Sequence, residues 1–156
     1  NSAAEILYHG DTAQSQLEIL CDGTVKETFF STTSGTGEGK DFYGYRWAEP
    51  LQIGALSFNN GEHTEQCGWF TSFGVEYLKE GQWTRMDSLC ISPQMSLDNA
   101  QWLQPTLMDY HITFPPVHTK GIRIIGKPGG LTQHGNGGNT KKQSCTSIAE
   151  LRIYRE

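Results

Sequence analysis

The chain has 156 residues, of which 36% are hydrophobic and 19% charged, a composition typical of one folded domain (1–156) rather than a disordered chain. Its formal net charge of −5 argues against a nucleic-acid backbone or an anionic membrane as the partner. No apolar run approaches the roughly 20 residues that a membrane helix needs, and no signal peptide is recognisable, so we expect a module excised from a larger protein.

In chain order, short apolar or alternating stretches between turn residues predict β-strands. The predicted strands are 51–58, 69–78, 82–86, 110–114, 121–126 and 147–154. The second and third form a hairpin whose turn needs the backbone freedom of Gly81, and the prolines at 115 and 116 are expected to end the fourth. Helical periodicity is nearly absent, with at most one turn at 97–104. This pattern, with 18 glycines, indicates an all-β, antiparallel β-sandwich.

The four cysteines are Cys21, Cys67, Cys90 and Cys145, and none forms a C-x-x-C pair. A structural zinc site is therefore not expected. Two disulfides would suit a secreted protein, and free, buried thiols are the alternative. The sequence leaves both open.

Three long polar segments interrupt the strands, at 31–47, 59–68 and 126–144. Long loops in a compact domain are often functional. These three are rich in glycine, asparagine, histidine or aromatic residues, which line polar ligand sites. This favours ligand binding over plain surface connection.

Glu150 lies in the middle of the last predicted strand, "SIAELRIY". A carboxylate near a core is unfavourable unless it is paired or bound to a metal. Strand alternation places it on the same face as Arg152, a possible partner. Asp22, in an Asp-Gly turn, and Thr28 add oxygen ligands of the kind that calcium takes; the alternative is an exposed turn.

Four segments resemble the landmarks of one family. They are "DGTVKETFFS", "FGVEYLKEGQWTRM", "GIRIIGKPGG" and "CTSIAELRIY". In this order, over nearly the whole chain, they look like the galactose-binding-like, discoidin-type sandwich with jelly-roll topology. That group includes the coagulation factor V/VIII C-type (F5/8 type C) domains and the family 32 carbohydrate-binding modules, which the chain resembles most.

The resemblance implies a structural calcium ion that joins the opening turn to the closing strand. The implied side-chain ligands are Asp22, Thr28 and Glu150. The implied carbonyl donors are Ala149, Ile19 and Thr24. The ion would order the fold and would take no part in catalysis.

The resemblance also implies a carbohydrate site in the loops at one end of the sandwich. A sugar needs an aromatic face and fixed hydrogen-bonding groups. We expect Tyr43 and Tyr45 to form a stacking platform and Trp47 to belong to the core. The other candidate contacts are Arg46, Asn60, Glu62, His63, Trp69, His134 and Asn136. Trp69 could instead cap the core, and the last two could instead face solvent.

No motif marks a catalytic site, since G-x-S-x-G, H-E-x-x-H, a Walker loop and G-x-G-x-x-G are all absent. A transition-metal site at His63 with its neighbouring acids and Cys67 matches no known ligand spacing. A pair of carboxylates for glycoside hydrolysis could come from Glu38, Asp41, Glu62 or Glu65.

We therefore predict a non-catalytic, calcium-stabilised carbohydrate-binding module that targets an attached glycoside hydrolase or polysaccharide lyase to an oligo- or polysaccharide. We expect a monomeric module of a secreted or cell-surface bacterial protein, without membrane insertion. One alternative is a discoidin-like adhesion domain that binds protein or phospholipid, although leucine and methionine look scarce at the loop tips. The other is a small glycan-active hydrolase.

Overall fold

A computed structural model of the chain describes residues 4–8, 14–30, 41–64, 67–100, 104–130, 132–134, 140–142 and 145–156. This part of the chain is built from strands and one 3-10 helix. The elements are β1 (Glu5–Tyr8), the 3-10 helix (Gln14–Cys21), β2 (Phe29–Phe30), β3 (Asp41–Asn59), β4 (Cys67–Phe70), β5 (Gly74–Lys79), β6 (Gln82–Arg85), β7 (Cys90–Ser92), β8 (Asp109–Gly126), β9 (Pro128–Gly130), β10 (Thr132–His134), β11 (Thr140–Lys142), β12 (Ser147–Ile148) and β13 (Glu150–Arg155).

Two long antiparallel strands, β3 and β8, organise the main sheet. Their pairing shifts register between Arg46 and Leu51, and again between Ile53 and Ala55. Before the first shift, β1 pairs with β3, and β5 and then β6 extend the sheet from β8. Beyond the shifts, β13 pairs with β3, and β7 pairs with β8. The halves share one core cluster, as the predicted antiparallel sandwich requires.

The strand interiors follow the expected period of two. In β8, Tyr110, Ile112 and Phe114 are buried, whereas His111 and Thr113 between them are exposed. Successive side chains of a strand point to opposite faces, so one face of β8 meets the core and the other meets solvent.

The prediction that Pro115 and Pro116 end a strand is wrong, because β8 continues through them. The pairing with β3 jumps from Thr113 to Val117 at this point. The two prolines therefore lie in a bulge, where the absent N–H removes no ladder hydrogen bond.

Two other local predictions have different outcomes. Residues 41–47 were assigned to a loop but form the start of β3. The predicted hairpin is confirmed as β5–β6. Its two turn residues, Glu80 and Gly81, have φ values of 52° and 79°, as a type I′ turn requires.

Cys67 and Cys145 form a disulfide across 78 positions of sequence. It joins the start of β4 to the residues before β12. Cys21 and Cys90 are free and exposed. Neither alternative therefore holds in full: one disulfide forms instead of two, and the two free thiols are exposed instead of buried.

No helix in the described part of the chain has the length and apolar character to cross a membrane.

Candidate functional site

Glu150 is the first residue of β13 and pairs with Asn59 of β3. It is only 6% exposed. Its Oε1 accepts a hydrogen bond from Arg152 Nε at 3.3 Å, which confirms Arg152 as a partner. Its Oε2 is buried without a hydrogen-bond partner. A buried oxygen of this kind is costly unless something satisfies it.

The Asp22-Gly23 turn lies against this carboxylate. Gly23 has a φ of 81°, and the N–H of Thr24 donates to Asp22 Oδ1 at 2.9 Å. Burial raises the pKa of Glu150 above its ordinary value, and the charge of Asp22 adds to the increase, against the lowering effects of Arg152 and of the Gly23 N–H. The charge of Asp22, early in the chain, therefore acts on the Glu150 carboxyl near its end.

Thr28 lies one position beyond the β2–β12 ladder, in which Phe29 pairs with Ile148. Its Oγ1 accepts the N–H of Glu62 at 3.0 Å. Continuing this register places the backbone of Thr28 opposite Ala149. Ile19 is half-buried against the core.

These residues fit a calcium ion, because all the proposed donors are oxygens and Glu150 Oε2 has no other partner. Within the described ranges, no group of three or more His, Cys, Asp or Glu side chains could hold a metal. A cation here would accordingly rely on carbonyl and hydroxyl oxygens besides Asp22 and Glu150.

His63 lies between β3 and β4, and both of its ring nitrogens face backbone carbonyls. Nε2 lies 2.7 Å from the carbonyl oxygen of Gln104, and Nδ1 lies 3.1 Å from that of Thr64. The ring meets Trp69 edge to face at a centroid distance of 5.7 Å. The imidazole therefore holds the segment around Gln104 against β4.

Trp69 is only 4% exposed, which supports core capping rather than sugar stacking. Its Nε1 donates to Asn99 Oδ1 at 3.0 Å. Asn99 also accepts from the Gly130 N–H at 2.9 Å and donates to the Gly130 carbonyl at 3.1 Å. A Cβ at Gly129 would lie 2.1 Å from the indole nitrogen, so the ring packs directly on the β9 backbone.

Asn60 is bound on both sides of its amide. Its Nδ2 donates to the Pro105 carbonyl at 2.8 Å, and its Oδ1 accepts the Met108 N–H at 2.8 Å. Together with His63 and Trp69, it attaches residues 93–100 and 104–108 to the neighbouring strands. We call the surface formed by residues 59–64, 67–69 and 93–100 with 104–108 the loop end.

Tyr43 and Tyr45 do not form a stacking platform, and that prediction is wrong. Tyr43 is fully buried beside Thr146. Tyr45 is buried and donates its hydroxyl hydrogen to the Leu151 carbonyl at 2.8 Å; burial raises its pKa strongly. Both belong to the core side of β3. Trp47 is half-buried against the core, as expected.

The remaining candidates are dispersed. Arg46 is paired with Glu5 of β1 through a bond of 2.6 Å between Nη2 and Oε2. Glu62 is exposed at the loop end. His134 lies in β10, opposite Thr140.

Several predicted residues cannot be placed. Asn136, Glu38 and Glu65 lie outside the described residues. Of the other two acids considered for hydrolysis, Asp41 is fully buried and accepts a hydrogen bond from Thr146 Oγ1 at 2.7 Å. It therefore cannot face a substrate.

Sequence reasoning missed two features of the loop end. Asn99, which bonds both Trp69 and β9, carries no recognisable signal, because its role depends on a contact between distant segments. Leucines were also expected to be scarce at loop tips, yet Leu97 and Leu107 are both exposed.

No protein-family model matches the sequence, and no curated protein matches it. The structure is similar to solved family 32 carbohydrate-binding modules of Clostridium perfringens. The module of NanJ, in complex with galactose, is 14% identical at a TM-score of 0.63, covering 96% of this chain and 92% of that one. CpGH89CBM32-5, in complex with GalNAc-β-1,3-galactose, is 9% identical at 0.64, covering 97% and 94%. CBM32-3 of a family 31 glycoside hydrolase is 15% identical at 0.64, covering 96% and 88%. The chain therefore has the galactose-binding-like β-sandwich fold that the resemblance predicted.

Proposed function

We propose that this chain is a non-catalytic carbohydrate-binding module that recognises a glycan at the loop end and targets an attached enzyme to it. The observation that carries the proposal is the fold, which matches family 32 modules over nearly the whole of both chains. One of these modules is in complex with galactose, and the other is in complex with GalNAc-β-1,3-galactose.

The loop end supports this role because it is held rigidly. His63, Trp69 and Asn60 fix its backbone through the bonds described above, while Glu62 remains exposed. Rigid support reduces the ordering that binding would otherwise require. A single site of this type would bind with a Kd between roughly 10 µM and 1 mM, about −7 to −4 kcal/mol, and attachment to an enzyme would increase the effective concentration on a polysaccharide.

The disulfide supports an extracellular location, since such bonds persist in oxidising compartments. Bacterial origin and a monomeric state remain part of the same proposal.

The test is gel retardation on a panel of immobilised polysaccharides, combined with a reducing-sugar assay. We expect retardation by at least one polysaccharide and no release of sugar. Glu62→Ala should weaken retardation without lowering the melting temperature. Glu49 is an exposed residue of β3, and Glu49→Ala should change neither the retardation nor the melting temperature. Sugar release by the wild-type protein would replace the proposal with the hydrolase alternative.

Adhesion to phospholipid is the second candidate, and the exposed side chains of Leu97 and Leu107 favour it. Sedimentation with vesicles of phosphatidylserine and phosphatidylcholine separates the two. Binding to vesicles that is lost in Leu97→Ala, without any polysaccharide retardation, would favour adhesion.

We further propose that calcium binds between the Asp22 turn and Glu150 as a structural ion. The buried, unpartnered Oε2 of Glu150 supports it. When bound, the ion would supply positive charge that offsets both carboxylates; it would not take part in any reaction.

Calcium at about a hundredfold excess over its Kd should stabilise the fold by about 2.7 kcal/mol. The measurement is the melting temperature with calcium and with a chelator. Asp22→Asn should abolish the difference, whereas Asp87→Asn, at an exposed position elsewhere, should retain it. An identical melting temperature with and without chelator would contradict the calcium site.

A further inference from the structure

An open groove of about 290 Å³ lies on the outer face of β3, β8 and β13. Its walls include Val25, which precedes β2, and side chains from all three strands. The strand residues that face it are Ser57, Asn59, Asp109, His111, Arg152 and Tyr154. Glu150, which the proposed calcium ion would use, lies at one edge of the groove, and the other lining residues have no part in the proposed function.

Strand register sets these side chains in rows across the sheet. Asn59 pairs with Glu150 on one side and with Asp109 on the other, which forms the first row. Ser57 pairs with Arg152 and with His111, which forms the second. Cross-strand neighbours lie about 5 Å apart, so each row presents polar groups close enough together to contact one ligand.

Contacts within the groove hold several of the side chains in place. Asn59 Nδ2 donates to Asp109 Oδ1 at 2.8 Å, and the hydroxyls of Ser57 and Tyr154 lie 3.1 Å apart. Arg152 is fixed by the bond from its Nε to Glu150, which leaves the rest of its guanidinium at the surface. A site on paired strands is more rigid than one on loops.

The groove also has an aromatic component. Tyr154 is 42% exposed, and its ring meets that of His111 edge to face at 5.8 Å. An exposed phenol ring can cover the apolar C–H face of a pyranose. Tyrosine, histidine, aspartate and arginine in one groove are the groups that sugar recognition requires.

We propose that this groove is a second saccharide-binding site on the sheet face, which shares only Asn59 with the loop end. Tyr154 supplies the stacking surface, and Asp109, His111 and Arg152 hydrogen-bond the hydroxyls. In calcium-free protein the carboxylates of Asp109 and Glu150 outnumber the guanidinium of Arg152 in the groove, so the groove selects neutral sugars over uronates. The inference rests on the proposed function, and two sites on one module would increase retention on a polysaccharide through multivalency.

The test is an NMR titration of isotope-labelled protein, in the presence of a calcium chelator, with D-galactose, N-acetyl-D-galactosamine, D-glucose, D-mannose and D-glucuronate. The reporters for the groove are the ring signals of Tyr154 and His111. The reporter for the loop end is the indole N–H of Trp69. We expect at least one neutral sugar to shift the groove reporters, and glucuronate to shift them less.

Tyr154→Ala should lower the affinity that the His111 signal reports by about tenfold, which corresponds to the roughly 1.4 kcal/mol of one lost ring contact. Tyr154→Phe keeps the ring and should retain the affinity. Leu97→Ala, at the loop end, is the matched control and should leave the groove titration unchanged.

The two proposals fail separately. Shifts confined to the loop end would overturn the groove site and leave the proposed function standing. No shift of any reporter with any sugar would overturn both. Equal affinity of Tyr154→Ala and the wild type at the His111 signal would also overturn the groove site.

Discussion

The loop end and the groove contain similar residue types but use them differently. At the loop end, the polar groups of His63, Trp69 and Asn60 bond to the protein itself. In the groove, Tyr154 and Arg152 have large exposed fractions. A histidine or tryptophan in a polar loop can therefore be a framework residue, by which we mean one whose side chain holds the fold together. A tyrosine on a regular strand can instead be available to a ligand.

The loss of unfolding free energy in variants should distinguish the two surfaces more clearly than their residue types do. Removing a framework side chain creates a cavity and leaves buried partners unsatisfied. Removing an exposed side chain changes stability little. The following variants test this difference, from the largest expected effect to the smallest.

Trp69→Ala should reduce the free energy of unfolding by about 3–5 kcal/mol, the usual cost of emptying a large aromatic site. It also removes one of the two hydrogen-bond donors to Asn99 Oδ1. Chemical denaturation measures the change. Trp69→Phe refills most of the volume and should recover part of the loss. A change below about 1 kcal/mol in Trp69→Ala would show that the ring is not part of the framework.

Replacing both Cys67 and Cys145 by serine should lower stability by about 2–4 kcal/mol, because the bridge restricts a long loop in the unfolded chain. The melting temperature measures the loss. The control is the double variant Cys21→Ser with Cys90→Ser, which removes the two free cysteines. It should change the melting temperature little. Equal effects of the two double variants would indicate that the bridge does not stabilise the fold.

Asn60→Ala should cost about 1–3 kcal/mol, since it leaves the Pro105 carbonyl and the Met108 N–H without their partner. In the same variant, the hydrogen-exchange rate of the Met108 backbone N–H should increase. Asn60→Asp keeps the acceptor for Met108 and should slow that exchange relative to the alanine variant. Unchanged exchange at Met108 in Asn60→Ala would contradict the framework role.

Tyr154→Ala should change the free energy of unfolding by no more than about 0.5 kcal/mol, as for most surface substitutions. Denaturation of this variant beside Trp69→Ala gives the comparison directly. A loss as large as that of Trp69→Ala would make Tyr154 a framework residue and remove the contrast between the two surfaces.

Much of the fold follows from the sequence. Period-two alternation and turn residues predict the sandwich, and the hairpin at Gly81 is confirmed. The sequence pattern divides β8 at Pro115, because proline lacks the N–H of a regular strand, whereas a bulge in the pairing with β3 means that no ladder hydrogen bond is lost. Local patterns cannot report the register of a distant partner strand.

The candidate site was predicted less well, for a related reason. Burial, and then the charge of Asp22, raises the pKa of Glu150, and the calcium site at these two residues stays a prediction. Tyr43 and Tyr45 were assigned to a loop, yet their spacing of two in "FYGYRW" already fits one face of a strand. Asn99 has no such signal, because only the folded contact with Trp69 defines its role.

The single disulfide has a consequence for producing the protein. Four thiols emerge from synthesis, and the native pairing leaves Cys21 and Cys90 unoxidised at the surface. Because each molecule then carries two accessible thiols, air oxidation can couple copies end to end into covalent multimers, and not merely into dimers. Secretion with both positions changed to serine should yield homogeneous monomer on non-reducing gels.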